Sequence, residues 1–197
     1  DVIVTSSAQL TSDLRITAGG GIDTLRADDD ATVVDGDFFR ISSIEVVELS
    51  ADAGDNAQSV VLSANAENAG VTTVAASGAG ADDAISVNAA SFDLALTVTT
   101  GAGDDQIVLG SGGSVVSSGD GADTVTVGAS NDGVTNDNIQ TGAGADLIKT
   151  TDAKLRAALA VQAGGDADTL EITDDASVVD ADLAGQSSVE TLKLSAN

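Results

Sequence analysis

The 197-residue chain has no cysteine, histidine, methionine, tryptophan, tyrosine or proline, and only seven basic residues. Without Cys or His there is no thiolate chemistry, no imidazole base, no zinc or copper site of the usual kinds and no disulfide framework. Three phenylalanines and a scatter of basic residues (Lys149, Lys154, Lys193, Arg15, Arg26, Arg40, Arg156) leave little with which to grip a substrate. Carboxylate pairs for glycoside hydrolysis are formally available, but sugar sites also use aromatic platforms, so the chain is expected not to be an enzyme. No apolar run approaches the ~18 residues of a membrane span, and no basic segment followed by an apolar one opens the chain, so membrane insertion is not expected and any secretion signal is expected outside this window. A formal charge of −25 removes nucleic acid and anionic membrane as partners.

Most of that charge is aspartate. Of 32 acidic residues only Glu45, Glu48, Glu67, Glu171 and Glu190 are glutamate, and aspartate is the short carboxylate that favours turns and hard-cation sites over helices. Strong acidity with few aromatics commonly means disorder. Here 42% of residues are hydrophobic and sit in short regular runs, so a core forms if the runs stack.

The chain repeats on two scales. Residues 1–52 align without a gap onto 146–197, an offset of 145, with Asp23, Leu25, Asp29, Asp30, Asp35, Glu45 and Leu49 matched by Asp168, Leu170, Asp174, Asp175, Asp180, Glu190 and Leu194. One continuous solenoid over 1–197 is expected, with 1–52 and 146–197 as equivalent parts of a 145-residue tandem unit. Within that unit runs a glycine turn, Gly-x-Gly-x-Asp, at Gly19/Gly21/Asp23, Gly78/Gly80/Asp82, Gly101/Gly103/Asp105, Gly119/Gly121/Asp123 and Gly142/Gly144/Asp146, with a variant at Gly164/Asp166/Asp168. Asp83 and Asp104 adjoin two of them. From Asp82 onward the closing aspartates lie 23, 18, 23 and 22 residues apart, one coil each.

The flanks keep the same period. An apolar residue stands three before the first glycine (Ile16, Ala75, Val98, Val116, Ile139, Val161) and another two after the closing aspartate (Leu25, Ile107, Val125, Ile148, Leu170, with Ile85 fitting if Asp83 is counted). Segments such as 96–99, 123–127 and 168–172 are β-branched, alternate in polarity and contain no proline, so each coil reads strand, glycine turn, strand. Helical signal is minimal, with one turn expected within 151–162. The fold class is therefore all-β, a parallel β-solenoid of about 8–9 coils of roughly 18–27 residues.

Glycine is needed where the turn takes positive φ and backbones approach closely. Stacked turns then offer inward carbonyls and aspartate carboxylates from two coils, an oxygen cage suited to Ca²⁺. Bound cations also answer the repulsion within a column of aspartates about 5 Å apart. The candidate ligand residues are the glycines and aspartates of all six turns together with Asp83 and Asp104. At 101–109, 119–127 and 142–150 the sequence resembles the calcium-binding nonapeptides of the RTX family, and 44–51 and 189–196 resemble strand repeats of RTX-type S-layer proteins and giant adhesins. That resemblance implies a right-handed β-roll, type I secretion from a bacterium and folding on extracellular Ca²⁺. The opposite turns (88–93, 110–113, 128–137) lack the motif, so several ions are expected mostly along one edge. Asp29-Asp30 and Asp174-Asp175, with Asp35/Asp37 and Asp180/Asp182, form a second candidate cation site, the alternative being a solvated loop.

Phe38 and Phe39, adjacent in a chain whose one other aromatic is Phe92, are expected to plug a coil end or widen the core, the alternative being a lateral contact. Thr-x-Thr pairs suggest an ice-binding ladder, but the position two before the first glycine reads Thr17, Ala76, Thr99, Ser117, Gln140, Gln162, which is not one. The function expected is a calcium-stabilised structural segment of a secreted cell-surface protein, an S-layer lattice or extracellular fibre that self-associates end to end or laterally. Alternatives are the extender of a giant adhesin and a carrier module of an exported enzyme. Any anchor to surface polysaccharide lies outside this window.

Overall fold

The computed structural model describes all residues except 30–31, 51–56, 77, 79–82, 129–135, 175–176 and 196–197, and only the main chain of 157–158. The chain is a parallel β-solenoid of about nine coils. One sheet has nine strands: Val2–Thr5, Thr24–Ala27, Val46–Leu49, Thr73–Ala75, Thr97–Thr99, Val115–Ser117, Asp137–Gln140, Leu159–Gln162 and Gln186–Ser187. The other has eight: Thr32–Val33, Gln58–Val61, Ile85–Asn88, Gln106–Val108, Thr124–Thr126, Leu147–Thr150, Thr169–Ile172 and Thr191–Leu194. Every pairing is parallel, and in the nine-stranded sheet paired residues lie 22, 22, 27, 24, 18, 23, 22 and 25 positions apart along the chain. Each of these spacings is one coil.

Register follows from the buried column on each sheet, because a slip of one residue would turn every apolar side chain to water. In the nine-stranded sheet Leu25, Val47, Val74, Val98, Val116, Ile139 and Val161 stack inward. Facing them are Val33, Val60, Val87, Ile107, Val125, Ile148 and Leu170. All fourteen are buried. Two expectations shift here by one or two residues. The inward residue ahead of Gly78 is Val74, not Ala75, and the one opposite Ile107 is Val87, not Ile85. Ile85 instead lies level with Asp105.

The duplicated segments do not sit in equivalent places. Thr24–Ala27, after the first glycine turn, pairs in the nine-stranded sheet, whereas its counterpart Thr169–Ile172 pairs in the eight-stranded sheet. The reason is a third, short sheet of Ile16–Thr17 and Ile41–Ser42, which gives the early coils three sides. Once it ends, each coil alternates between two sheets, and the strand that precedes a glycine turn changes sheet.

Helix Asp152–Ala158 falls within the segment expected to hold one turn, and its N-cap Thr151 accepts a bond from the Lys154 N–H. A second short helix, Ala64–Ala69, ends at Gly70 with φ 102°. Its exposed N–H groups are capped from the neighbouring coil, where Asp35 accepts from Ser63 N, Asn65 N and Ala66 N. Phe38 and Phe92 are in the core at 1% exposure, but Phe39 is 65% exposed. Phe38 and Phe39 are consecutive in a 3₁₀ helix, Asp35–Arg40, where neighbouring side chains diverge by about 120°.

Candidate metal centre

The glycine turns bring the aspartates into columns. In four of them the closing aspartate immediately precedes a strand of the eight-stranded sheet and points inward: Asp105, Asp123, Asp146 and Asp168 are 2%, 1%, 2% and 0% exposed. Each carboxylate reaches back one coil. Asp105 Oδ1 accepts from Ile85 N at 2.8 Å; Asp123, Asp146 and Asp168 Oδ1 accept from Asp105, Asp123 and Asp146 N, each at 2.9 Å. Asp168 N in turn donates to Glu190 Oε2 at 2.9 Å. A buried N–H at the end of a turn needs an acceptor, and here a carboxylate supplies it.

Asp23 belongs to a separate column. Its turn leads into the nine-stranded sheet, whereas the turns at 101–105, 119–123, 142–146 and 164–168 lead out of it. The six turns therefore do not share one edge. Asp23 N donates to Glu45 Oε2 at 2.8 Å, the same bond that Asp168 makes with Glu190. Glu45 and Glu190 are thus the terminal rungs of the two columns, residues absent from the ligand set read from the turns. Their identity across the 145-residue offset, one residue before a strand, is the signal in the sequence.

One oxygen per rung is left over. The Oδ2 atoms of Asp23, Asp105, Asp123, Asp146 and Asp168 are buried and have no hydrogen-bond partner. Beside them runs a ladder of buried hydroxyls, in which Thr100 Oγ1 donates to Ser118 O (2.8 Å), Ser118 Oγ to Thr141 O (3.2 Å) and Thr141 Oγ1 to Ala163 O (2.9 Å). Each hydroxyl has one proton; these bonds give it to a carbonyl, and rotated the other way the Thr100 and Ser118 hydroxyls would donate instead to Asp105 and Asp123. Burial raises the pKa of Asp105, Asp123 and Asp168, outweighing nearby hydroxyl and N–H donors where present, with like-charged neighbours adding to it. Asp123, flanked by Asp105 and Asp146, is pushed up to about 6.

The turns themselves are tightly stacked. Gly119, Gly142 and Gly164 have φ near +100°, and a Cβ on any of them would lie 1.8 Å from a carbonyl oxygen of the preceding coil. Those carbonyls accept from the next coil: Asp120 N bonds Gly101 O, Ala143 N bonds Gly119 O and Gly165 N bonds Gly142 O. A carbonyl keeps a second lone pair, so it remains available to a cation. Gly19, Gly21, Gly121 and Gly144 also take positive φ, and Asp166 does so in place of a glycine at 79°. Gly103 does not, yet its Cβ would meet Asp83 O at 2.3 Å.

The remaining candidates are placed otherwise. Gly78 is exposed, while Gly80 and Asp82 lie outside the described residues. Asp83 is buried but two positions ahead of Ile85, out of the column. Asp104 is exposed and accepts from Ala122 N. In the second candidate cluster, Asp30 and Asp175 lie outside the described residues. There Asp29 accepts from Ser7, Asp35 caps the helix Ala64–Ala69, Asp37 accepts from Val34 N, Asp174 from Asp152 N and Asp182 from Val179 N. These carboxylates serve main-chain groups.

The opposite edge holds a cation of the chain's own. Lys154 Nζ lies 2.5 Å from Asp137 Oδ2, with the two side chains 1% and 2% exposed, and Asp137 Oδ1 accepts from Ser114 N. Where the glycine-turn columns have spare carboxylate oxygens, this corner has an ammonium.

The columns fit a hard cation by their donor chemistry: buried carboxylate oxygens without partners, one per coil, beside turn carbonyls. Among the described residues no three acidic side chains converge, so any site draws two carboxylates from adjacent rungs and completes itself with main-chain oxygens. In the metal-free chain the shift at Asp123 has a definite sign. Its folded pKa of about 6 exceeds the ordinary 3.8, so the folded state holds its proton more tightly and stability falls as pH rises from about 4 to 6. The loss expected is on the order of 3 kcal/mol. Calcium-stripped protein should retain more β structure by circular dichroism at pH 5 than at pH 7.5, and Asp123→Asn should reduce that difference; a pH dependence unchanged by the substitution would remove Asp123 as its source.

No protein-family model, no curated protein and no solved structure matches the chain significantly.

Proposed function

We propose that the chain is a calcium-stabilised structural segment of a secreted bacterial cell-surface protein, of the S-layer or extracellular-fibre kind. The observation that carries this reading is the set of five buried, partnerless Oδ2 atoms on Asp23, Asp105, Asp123, Asp146 and Asp168, in a chain of net charge −25. Ca²⁺ supplies positive charge and oxygen coordination between successive rungs. Asp105, Asp123, Asp146 and Asp168 would hold it on one edge and Asp23 with Glu45 on the other, each column joined by the carbonyls of its turns.

The chain's residues prepare that role. Their Oδ1 atoms accept from N–H donors one coil away, which fixes the orientation of each carboxylate as the coils stack. Without cations the columns repel themselves, so a chain exported through a calcium-poor cell interior stays unfolded and folds outside, in keeping with its resemblance to RTX repeats and type I secretion. No catalytic role is proposed, because the buried carboxylates serve to build the turns. Isolated protein in millimolar Ca²⁺ should associate into oligomers, sheets or fibres, as sedimentation and electron microscopy would show. A strictly monomeric rod at high concentration would contradict the self-associating part of this reading.

A further inference from the structure

Among the described residues the acidic side chains lie almost entirely outside the strands. Of 32 acidic residues, only Glu48, Asp137 and Glu171 lie in described strands. Each of the three is paired with a cation: Arg26 to Glu48 at 3.0 Å, Lys154 to Asp137, and Lys193 to Glu171 at 3.0 Å. Between strands Thr73–Ala75 and Leu159–Gln162 the outward side chains of the nine-stranded sheet carry no charge at all; Thr97, Thr99, Val115, Ser117, Asn138 and Gln140 form its centre. Exposed sheet faces ordinarily intersperse charges of both signs to keep proteins apart. This one omits them, in a chain otherwise dense with aspartate.

We propose that this face is a lateral docking surface for the same face of a second copy of the chain. Two copies each carrying −25 repel wherever turns meet, and the neutral face is where they approach without that cost. The eight-stranded sheet is less suited to meeting itself, because Lys149 and Lys193 flank Glu171 there and give its face a net positive charge. An isologous contact through the neutral face brings no like charges together. The five strands with no outward charge, about 4.8 Å apart and some 10–13 Å wide, offer roughly 250–300 Å² per copy, against about 800 Å² per partner in a standard interface. A single pair of chains therefore associates weakly, and lateral order builds where many such faces are linked. This inference rests on the self-associating role proposed above and names the surface that performs it.

The test compares wild type with Thr97→Glu/Gln140→Glu, whose substituted side chains are exposed on this face, and with Thr124→Glu on the opposite sheet. Sedimentation equilibrium is run in millimolar Ca²⁺, with circular dichroism to establish equal β content. The expected result is wild-type association weakened at least about tenfold by the double substitution and little changed by Thr124→Glu. Wild type that assembles while the double variant assembles equally well would overturn the face assignment and leave the self-associating role standing. Wild type that stays monomeric would overturn both. A monomer that instead binds an uncharged polysaccharide resin, and loses that binding in the double variant, would give the face to a glycan and also overturn the proposal.

Discussion

Gly142→Ala should cost about 2–5 kcal/mol, the combined penalty of a left-handed backbone conformation and of overpacking against a rigid neighbour. Gly142 has φ 98°, and its Cβ would stand 1.8 Å from Gly119 O and 2.8 Å from Gly119 C. Those are main-chain atoms of the adjacent turn, themselves hydrogen bonded to Ala143 N, so they cannot swing aside as a flexible side chain would. Relief requires two coils to separate, which also disturbs the bond between Asp123 N and Asp146 Oδ1. Gly165→Ala is the control. A Cβ there meets nothing within 4 Å and φ is outside the left-handed region, so its unfolding free energy should stay within about 0.5 kcal/mol of wild type. Equal effects at the two positions would mean that the turns are not stacked as described.

Lys154→Met should be of similar size and for an electrostatic reason. It strands Asp137 as a buried carboxylate that has lost its ammonium, a change worth about 3–5 kcal/mol in comparable interiors. The double variant Lys154→Met/Asp137→Asn removes the charge but keeps an acceptor for Ser114 N, and most of the stability should return. Denaturant melts of the four members of the cycle measure this. A double variant no more stable than Lys154→Met alone would show that the loss comes from the packing of the lysine stem and not from the unpaired charge.

Much of the fold was legible because a solenoid writes its period into the chain. Glycine turns recur with the coil period from Gly101 to Gly164, and so do the inward valines, isoleucines and leucines on either side. What failed was phase. Around Gly78 the spacing between glycine turn and strand changes, so Val74 and Val87 take the inward places assigned to Ala75 and Ile85. Aspartate identity likewise does not reveal which edge a turn occupies. Asp23 and Asp168 are matched residues of a duplication, yet a two-residue pairing of Ile16–Thr17 with Ile41–Ser42 puts their turns on different sides of the nine-stranded sheet.

Long-range pairs were the least visible. Lys154 looked like one scattered base among seven, since its partner Asp137 lies a coil away, in register with Leu159 near the end of the same helix. Glu45 and Glu190 were conspicuous as repeated residues but not as rungs. Their role follows only when the aspartate one coil earlier is seen to need an acceptor. Phe39 reads as core from its type, and the 3₁₀ helix turns it to solvent.

The central claim is that external cations complete the aspartate columns, and calcium dependence of the fold tests it directly. Far-UV circular dichroism of the intact chain at pH 7.5 should show β structure in millimolar Ca²⁺ with a melting midpoint at least about 10 °C above that in EGTA, where the signal moves toward disordered chain. Asp123→Ala should raise the calcium concentration needed at the midpoint. The same folded spectrum and the same melting temperature with calcium and with chelator would contradict the account.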